Sequence, residues 1–200
     1  MWAFIVTSVI IELTPGPNMT WLAVLGATRG RSAALAAVAG IGLGLALAGL
    51  VAGLGLTVLF DAFPSLLTGL RIAGTLYLFY LAYDAWTDAD GKEEVTDKPN
   101  SAYFRQGFIS NALNPKAYLF YAAILPQFLT IPDHPSQDIV LLTAIYVVIA
   151  TSIHGGIGLA AGSIAGWLEH SPQAKLIRRM LAAAIALAAI WFFYSTGHLQ

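Results

Sequence analysis

Two long apolar stretches of this chain are each interrupted near the middle by a proline-containing break. The first break reads Thr14-Pro15-Gly16-Pro17-Asn18, and the second reads Asn111-Ala112-Leu113-Asn114-Pro115-Lys116. Proline has no backbone N–H and its ring clashes with the preceding turn, so neither stretch can form one continuous helix. Any fold of this chain must supply partners for the backbone groups that the breaks leave unpaired.

The composition identifies the solvent that surrounds this fold. Hydrophobic residues make up 58% of the 200 residues, charged residues make up 10%, and the mean hydropathy is +0.71. Soluble domains carry roughly 25% charged residues, so this surface is too apolar to face water. The net charge of −1 offers no basic face for nucleic acid, and the absence of cysteine excludes disulfides and thiolate chemistry. We predict an all-α polytopic protein that contacts the lipid bilayer and uses no cofactor or metal.

The apolar pattern predicts six membrane spans. A span needs about 20 mostly apolar residues, and the first stretch reaches that length only if the halves on both sides of its break are counted together. The predicted spans lie near residues 2–28, 32–59, 66–86, 106–129, 139–167 and 177–196.

The basic residues predict the orientation of these spans. Eight of the ten Lys and Arg residues lie between spans 1 and 2, 3 and 4, or 5 and 6, whereas Arg71 lies on the opposite side and Lys116 within span 4. The side rich in positive charge is expected to be cytoplasmic. We therefore predict a multi-pass plasma-membrane protein whose two termini both lie outside.

A polar stretch from Thr87 to Gln106 divides the chain nearly in half. We interpret residues 87–105 as a cytoplasmic linker between two three-helix repeats, 1–86 and 106–200, of a single transmembrane domain. Because three is an odd number, the second repeat is inverted relative to the first, and spans 1 and 4 are both broken at the midplane. Breaks at corresponding places in two inverted halves are typical of the binding site of a secondary transporter.

The breaks place two helix N-termini near the predicted midplane. Asn114 is a good N-cap, and proline is favoured at the first helical position, so half-helices are expected to begin at Pro115 and Pro17. Each N-terminus carries roughly half a positive charge and unpaired N–H groups, which suit a carboxylate. The predicted substrate-binding residues are Glu12, Pro15, Gly16, Pro17, Asn18, Asn111, Asn114, Pro115, Lys116 and Tyr118.

Two charged side chains lie at these breaks. Lys116 follows the N-cap of its half-helix, where a cation opposes the helix dipole by about 0.3–1 kcal/mol. Glu12 lies one turn before the first break, and a charge at the centre of a span costs at least about 2.5–3.5 kcal/mol. A permanent ion pair between Glu12 and Lys116, or a bound zwitterion between them, would offset this cost.

The candidate residues also have structural interpretations. The Pro-Gly-Pro segment can be a passive kink, Asn111 and Asn114 can serve only as caps or interhelical contacts, and Tyr118 can be a wall residue. His154 in span 5 is either a packing residue or a proton carrier, because imidazole titrates near neutral pH. Glu12 and His154 are therefore the two candidates for proton coupling.

Small residues recur at four-residue spacing in two of the spans. Such rows let helices approach closely. The sequence leaves three roles for them: packing within the chain, a homodimer contact, or a sliding surface during transport. They are Gly40, Gly44, Ala48 and Ala52 in span 2, and Gly158, Gly162 and Gly166 in span 5.

The ordered set of motifs resembles the LysE/RhtB family of bacterial amino-acid exporters, which includes lysine, threonine and homoserine exporters. The resemblance covers nearly the whole chain. It rests on Thr14-Pro15-Gly16-Pro17-Asn18, Arg29-Gly30-Arg31, the stretch from Gly74 to Leu81, Gly107-Phe108, Asn114-Pro115-Lys116-Ala117 and Pro126-Gln127-Phe128. It implies six spans, a place in the bacterial inner membrane, and export of amino acids or similar solutes by proton antiport. An Ala-rich span 6 and His154 depart from the family pattern.

Other functions are less well supported by the sequence. A divalent cation exporter of a related superfamily is the alternative, but the chain has neither thiolate ligands nor a loop rich in His and Asp. An intramembrane enzyme is not indicated, because no His-Glu-x-x-His or Gly-x-Ser-x-Gly motif occurs. A non-transporting scaffold would leave the two costly breaks without a purpose.

The predicted orientation can be tested by cysteine labelling, because the chain has no native cysteine. We expect Glu94→Cys in the linker to resist an impermeant thiol reagent added outside intact cells, and to react once the membrane is permeabilised. Labelling of position 94 in intact cells would reverse the predicted orientation.

Overall fold

Helices make up nearly all of the structure, a computed structural model that describes residues 1–53, 65–89, 98–129 and 135–195. No β-strand occurs within these ranges, so the all-α prediction is confirmed there. In chain order the α-helices are α1 Trp2–Leu13, α2 Pro17–Gly53, α3 Ser65–Ala89, α4 Asn100–Ala112, α5 Pro115–Leu119, α6 Pro135–Gly162, α7 Ala165–Glu169 and α8 Ala174–Ser195.

Four helical segments are long and apolar enough to cross a bilayer, and α1 is a shorter apolar helix. Large apolar side chains on these segments are exposed, such as Val148 at 64% and Leu187 at 65%. Such a surface suits lipid, which confirms the prediction of a polytopic helical membrane protein. The four segments are Pro17–Ala52, Ser65–Ala89, Gln137–Glu169 and Ala174–Ser195.

Predicted spans 1 and 2 are joined by a single non-helical residue inside α2. Gly30 has φ 83° and ψ −178°, and it is the only residue with a positive φ in the described part of the chain. Glycine adopts this conformation without a steric cost, which explains its place between Arg29 and Arg31. The structure does not describe the last predicted residues of two spans. These are residues 54–59 of span 2 and residue 196 of span 6.

Helices occupy both ends of the predicted linker, 87–105. Helix α3 continues to Ala89 and α4 begins at Asn100, whereas residues 90–97 lie outside the described residues. The extensions carry paired charges: Lys98 donates to both carboxylate oxygens of Asp84 at 2.6 and 2.7 Å, and Arg29 forms an ion pair with Asp88. These pairs hold the polar helix ends against the rest of the bundle.

Glycines bring the helices into backbone contact around the site. A Cβ added to Gly107 of α4 would lie 2.1 Å from the carbonyl oxygen of Ala37, and one added to Gly40 would lie 2.0 Å from that of Phe104. A Cβ on Gly26 would lie 2.8 Å from the carbonyl oxygen of Gly158 in α6. Of the three possible roles of the small-residue rows, these contacts show packing within the chain. This applies to Gly40 in span 2 and to Gly158 in span 5.

A pair of glycine substitutions tests this packing. Gly107→Ala should lower the apparent melting temperature in detergent, because the added methyl collides with a backbone carbonyl, and overpacking costs about 1–3 kcal/mol. Gly156→Ala is the matched control, since a Cβ there meets nothing within 4 Å and alanine favours the helix by about 0.5–1 kcal/mol. Equal melting temperatures for the two variants would contradict the close packing of α2 and α4.

Candidate functional site

The first break lies between α1 and α2, as the prolines predict. Helix α1 ends at Leu13, and Thr14 is extended, with φ −65° and ψ 118°. A residue that precedes proline is pushed out of the helical region, and this applies to Thr14 before Pro15 and again to Gly16 before Pro17. Helix α2 then begins at Pro17. The predicted break is confirmed.

The second break lies between α4 and α5. Asn114 is extended and caps α5, accepting a hydrogen bond from the backbone N–H of Lys116 at 3.1 Å. Pro115 occupies the first helical position, where its missing N–H costs nothing. The break, the cap and the helix start are all as predicted. Beyond Leu119 the chain continues through a π-helical turn, Phe120–Ile124, and a 3₁₀ turn, Leu125–Phe128.

Lys116 joins the two breaks. Its ammonium group donates to the carbonyl oxygen of Ile11 at 2.8 Å and to that of Thr14 at 3.3 Å. In an unbroken helix, the Ile11 carbonyl would accept from residue 15, but Pro15 has no N–H to donate. The Thr14 N–H donates to this carbonyl at 3.2 Å, and the Lys116 ammonium supplies a second donor at the negative end of the α1 dipole. It therefore contacts backbone carbonyls, and the ion pair with Glu12, one of the two alternatives considered above, does not form in this structure.

A second polar link connects the start of α2 with the end of α4. The Asn18 side-chain oxygen accepts from the Ser110 hydroxyl at 2.7 Å, and its amide nitrogen donates to the Asn111 side-chain oxygen at 3.4 Å. All three side chains are buried. Because buried polar groups need partners in lipid, this network fixes the relative position of the two broken spans.

Glu12 is buried and faces α6 instead of Lys116. The Tyr146 hydroxyl donates a short hydrogen bond to one carboxylate oxygen, and His154 Nε2 lies 3.7 Å from the other. Tyr146 and His154 are eight residues apart and so lie on one face of α6. The Phe120 ring stacks on the Tyr146 ring, with centroids 3.7 Å apart, and holds it in place. The structure therefore brings Glu12 and His154 into one cluster.

A cavity of about 20 Å³ lies where these groups meet. A water molecule needs roughly 10–15 Å³ of such space, so the cavity has room for water but not for an organic solute. Two buried nitrogens of the residues that line it have no hydrogen-bond partner, Asn111 Nδ2 and His154 Nδ1. The lining residues are Glu12, Gly16, Asn18, Met19, Leu45, Asn111, Asn114, Lys116, Ala117, Tyr146 and His154.

Most of the predicted site residues meet at this cavity, but four do not line it. Pro15 and Pro17 line a neighbouring apolar groove, and Pro115 is buried in the packing of α5. The Tyr118 hydroxyl donates to the Ala112 carbonyl at 2.9 Å and so satisfies the end of α4. Sequence reasoning missed Tyr146 and Ser110. The only local signal for Tyr146 is that it lies eight residues before His154, and the only one for Ser110 is that it directly precedes Asn111.

Polar contacts join the ends of the helices on the side that the charge distribution predicts to be cytoplasmic. Gln106 donates to Asp84 at 3.3 Å, beside the Lys98–Asp84 and Arg29–Asp88 pairs. Partial burial alone would lower the pKa of Lys98, but the hydrogen bond and charge of Asp84 raise it above its ordinary value. A wider cavity of about 690 Å³ lies on the same side, lined in part by Arg29, Lys175 and Arg178.

Ligands for a metal ion do not converge in the described part of the chain. Within these ranges, no group of three or more His, Cys, Asp or Glu side chains is close enough to hold an ion. The Glu12 cluster contains only one acid and one imidazole, together with a phenol. Its chemistry suits a proton and a polar organic group better than a divalent cation.

Comparisons with known proteins identify the family of this chain. The family described as LysE type translocator matches residues 9–196. A homoserine/homoserine lactone efflux protein of Salmonella typhimurium is 26% identical over 190 residues, which cover 93% of this chain and 92% of the relative. A leucine efflux protein of Salmonella choleraesuis is 30% identical over 153 residues, covering 74% and 72%. A leucine efflux protein of Klebsiella pneumoniae is 31% identical over 132 residues, covering 64% and 62%.

No solved structure matches this chain at a significant level. The family match covers both breaks, the α6 residues that surround Glu12, and all of α8. The relatives described above are efflux proteins rather than enzymes. This chain is a multi-pass membrane translocator that belongs to the LysE type translocator family.

Proposed function

We propose that this protein exports amino acids across the bacterial inner membrane by proton antiport, with both termini periplasmic. Family membership and relatives named as homoserine and leucine efflux proteins support amino-acid export. The observation that carries the proposal is the cluster between the two breaks, where an ammonium, a carboxylate and carboxamides surround a small cavity. Charged groups this deep in a membrane protein mark substrate or ion pathways.

The substrate is a zwitterion whose two charges complement the two halves of the cluster. Its carboxylate binds Lys116 and the free N–H groups at the start of α2, replacing the contacts that Lys116 makes with α1 carbonyls. Its ammonium binds Glu12. The carboxamides of Asn18, Asn111 and Asn114 complete the site, and Asn111 has an unpaired donor to offer. Pro15, Gly16, Pro17 and Pro115 shape the backbone, and Tyr118 holds the end of α4 beside it.

Access alternates between the two sides, since the cavity in this conformation is too small for an amino acid. Two inverted repeats, residues 1–86 and 106–200, provide the moving parts. Helices α3 and α8, the third span of each repeat, pack on each other, for instance where Arg71 lies 4.8 Å from the ring centroid of Phe193. The Arg29–Asp88 and Lys98–Asp84 pairs are the contacts that open when the cytoplasmic side opens.

Glu12 and His154 act together in proton coupling. In the outward-open state, an external proton neutralises Glu12 and weakens its hold on the substrate ammonium, which favours release. The protonated carrier returns inward and loses the proton to the cytoplasm, so one proton is exchanged for one amino acid. Because His154 lies 3.7 Å from the carboxylate, the two groups bind the proton as a coupled pair.

Replacement of Lys116 tests the substrate site. Lys116→Met keeps most of the side-chain volume but removes the charge, and we expect counterflow in proteoliposomes to fall by about tenfold or more, since a charged hydrogen bond contributes about 1.5–3 kcal/mol. Lys92→Met, in the predicted linker, should transport normally. Because Lys116 also holds α1, the thermal stability of each variant must be measured in parallel. Wild-type transport by a folded Lys116→Met variant would contradict the site.

A second set of variants tests the coupling. We expect Glu12→Gln to lose the acceleration of efflux by an inward pH gradient, and Tyr146→Phe to weaken it, because the Tyr146 hydroxyl positions the carboxylate. His170→Gln is the control, since this histidine is exposed. A full pH response in Glu12→Gln would remove Glu12 from the mechanism. Loss of the response in His154→Gln alone would make His154 the proton carrier.

A further inference from the structure

An apolar groove of about 420 Å³ adjoins the polar cavity and runs from the first break to the C-terminal end of α8. The groove and the cavity share Gly16 and Lys116 in their linings, so a molecule bound in the groove lies directly beside the polar cavity. Six of its thirteen lining residues have large apolar side chains, namely Ile11, Leu119, Phe120, Ile124, Trp191 and Phe192.

The charge in this groove is confined to one end. Among the described residues that line it, Lys116 alone is charged, and its ammonium lies at the break where the groove meets the cavity. A ligand that fits must therefore carry an anionic group at one end and an apolar group at the other. A charged side chain in the groove would lose its hydration without finding a partner, which is costly in a low-dielectric site.

We infer that this groove holds the side chain of the exported amino acid, and that the preferred substrates have large, uncharged aliphatic side chains of the leucine type. The inference rests on the proposed function, because it places the substrate carboxylate at Lys116 and the ammonium at Glu12. The volume is sufficient, since an engineered apolar cavity of about 150 Å³ already binds benzene. A groove in the range of 300–1,000 Å³ is typical of small-molecule sites.

The competing occupant is a lipid acyl chain, because Trp191 at the rim is 54% exposed. An acyl chain would fit the apolar wall, but it has no polar group that could bind in the adjoining cavity, which is lined by Glu12, Asn18 and Asn111. An α-amino acid uses both parts: its charged end matches the polar cavity, and its side chain matches the groove. The two occupants also differ in a measurable way, since only an amino acid makes the groove control transport specificity.

The test is counterflow of leucine, alanine, homoserine and lysine in proteoliposomes made with the whole chain. We expect leucine to exceed homoserine and lysine by about tenfold or more, because single apolar groups change discrimination roughly 10–200-fold. If wild-type vesicles move no amino acid, the proposed function fails and the inference fails with it. If homoserine or lysine moves faster than leucine, only the inference fails.

Filling the groove gives the sharper result. Ala123 is exposed and lines the groove, so Ala123→Phe should lower leucine counterflow by about tenfold while alanine counterflow stays within about twofold. Ala160→Phe is the matched control, since Ala160 is exposed on α6 and is not among the residues that line the groove. It should change neither rate.

Ile124→Ala is the second variant and does not depend on accommodating a bulky ring. It enlarges the groove and should raise phenylalanine counterflow relative to leucine. Unchanged selectivity in both groove variants would assign the groove to lipid and overturn the inference. An equal loss of leucine and alanine transport in folded Ala123→Phe would also overturn it, because a shared route would then be blocked rather than a side-chain subsite.

Discussion

The hydrogen bonds from Lys116 to the carbonyls of Ile11 and Thr14 are the contact on which the rest of the site depends. Pro15 removes the donor that would have satisfied the Ile11 carbonyl, and the second break supplies a cation in its place. Each broken span thus completes the other. Without this contact, the Lys116 ammonium would have no partner inside the membrane-spanning bundle, which is costly there.

The same contact makes the site responsive to a ligand. A lysine ammonium has three donors and a flexible stem, so it can leave backbone carbonyls for a carboxylate at a modest net cost. Glu12 is held separately by Tyr146 and His154 on α6. The two charges are therefore each stabilised by a different helix rather than by each other, which leaves both free to pair with a zwitterion. In this conformation, close glycine packing holds α2 against α4 and α6.

Local rules were enough to predict the breaks and the Asn114 cap, because proline and the residue before it restrict the backbone wherever they occur. The predicted boundary between spans 1 and 2, at residues 29–31, contains the non-helical Gly30. The partner of Lys116 was not predictable, since it is a pair of backbone carbonyls about 100 positions away along the chain. Tyr146 was missed for a related reason: an apolar helix with no charged face gives no sign of which side meets Glu12.

The central claim is that the two breaks together enclose an amino-acid site, and protection of a single cysteine tests it most directly. Gly16→Cys is suitable because Gly16 lines the cavity and the groove, and a Cβ there meets nothing within 4 Å. We expect a transported amino acid to slow thiol labelling at this position in purified protein, whereas Gly69→Cys, which is equally unhindered, should label at the same rate with or without it. Labelling of Gly16→Cys that saturating amino acid leaves unchanged would contradict the site.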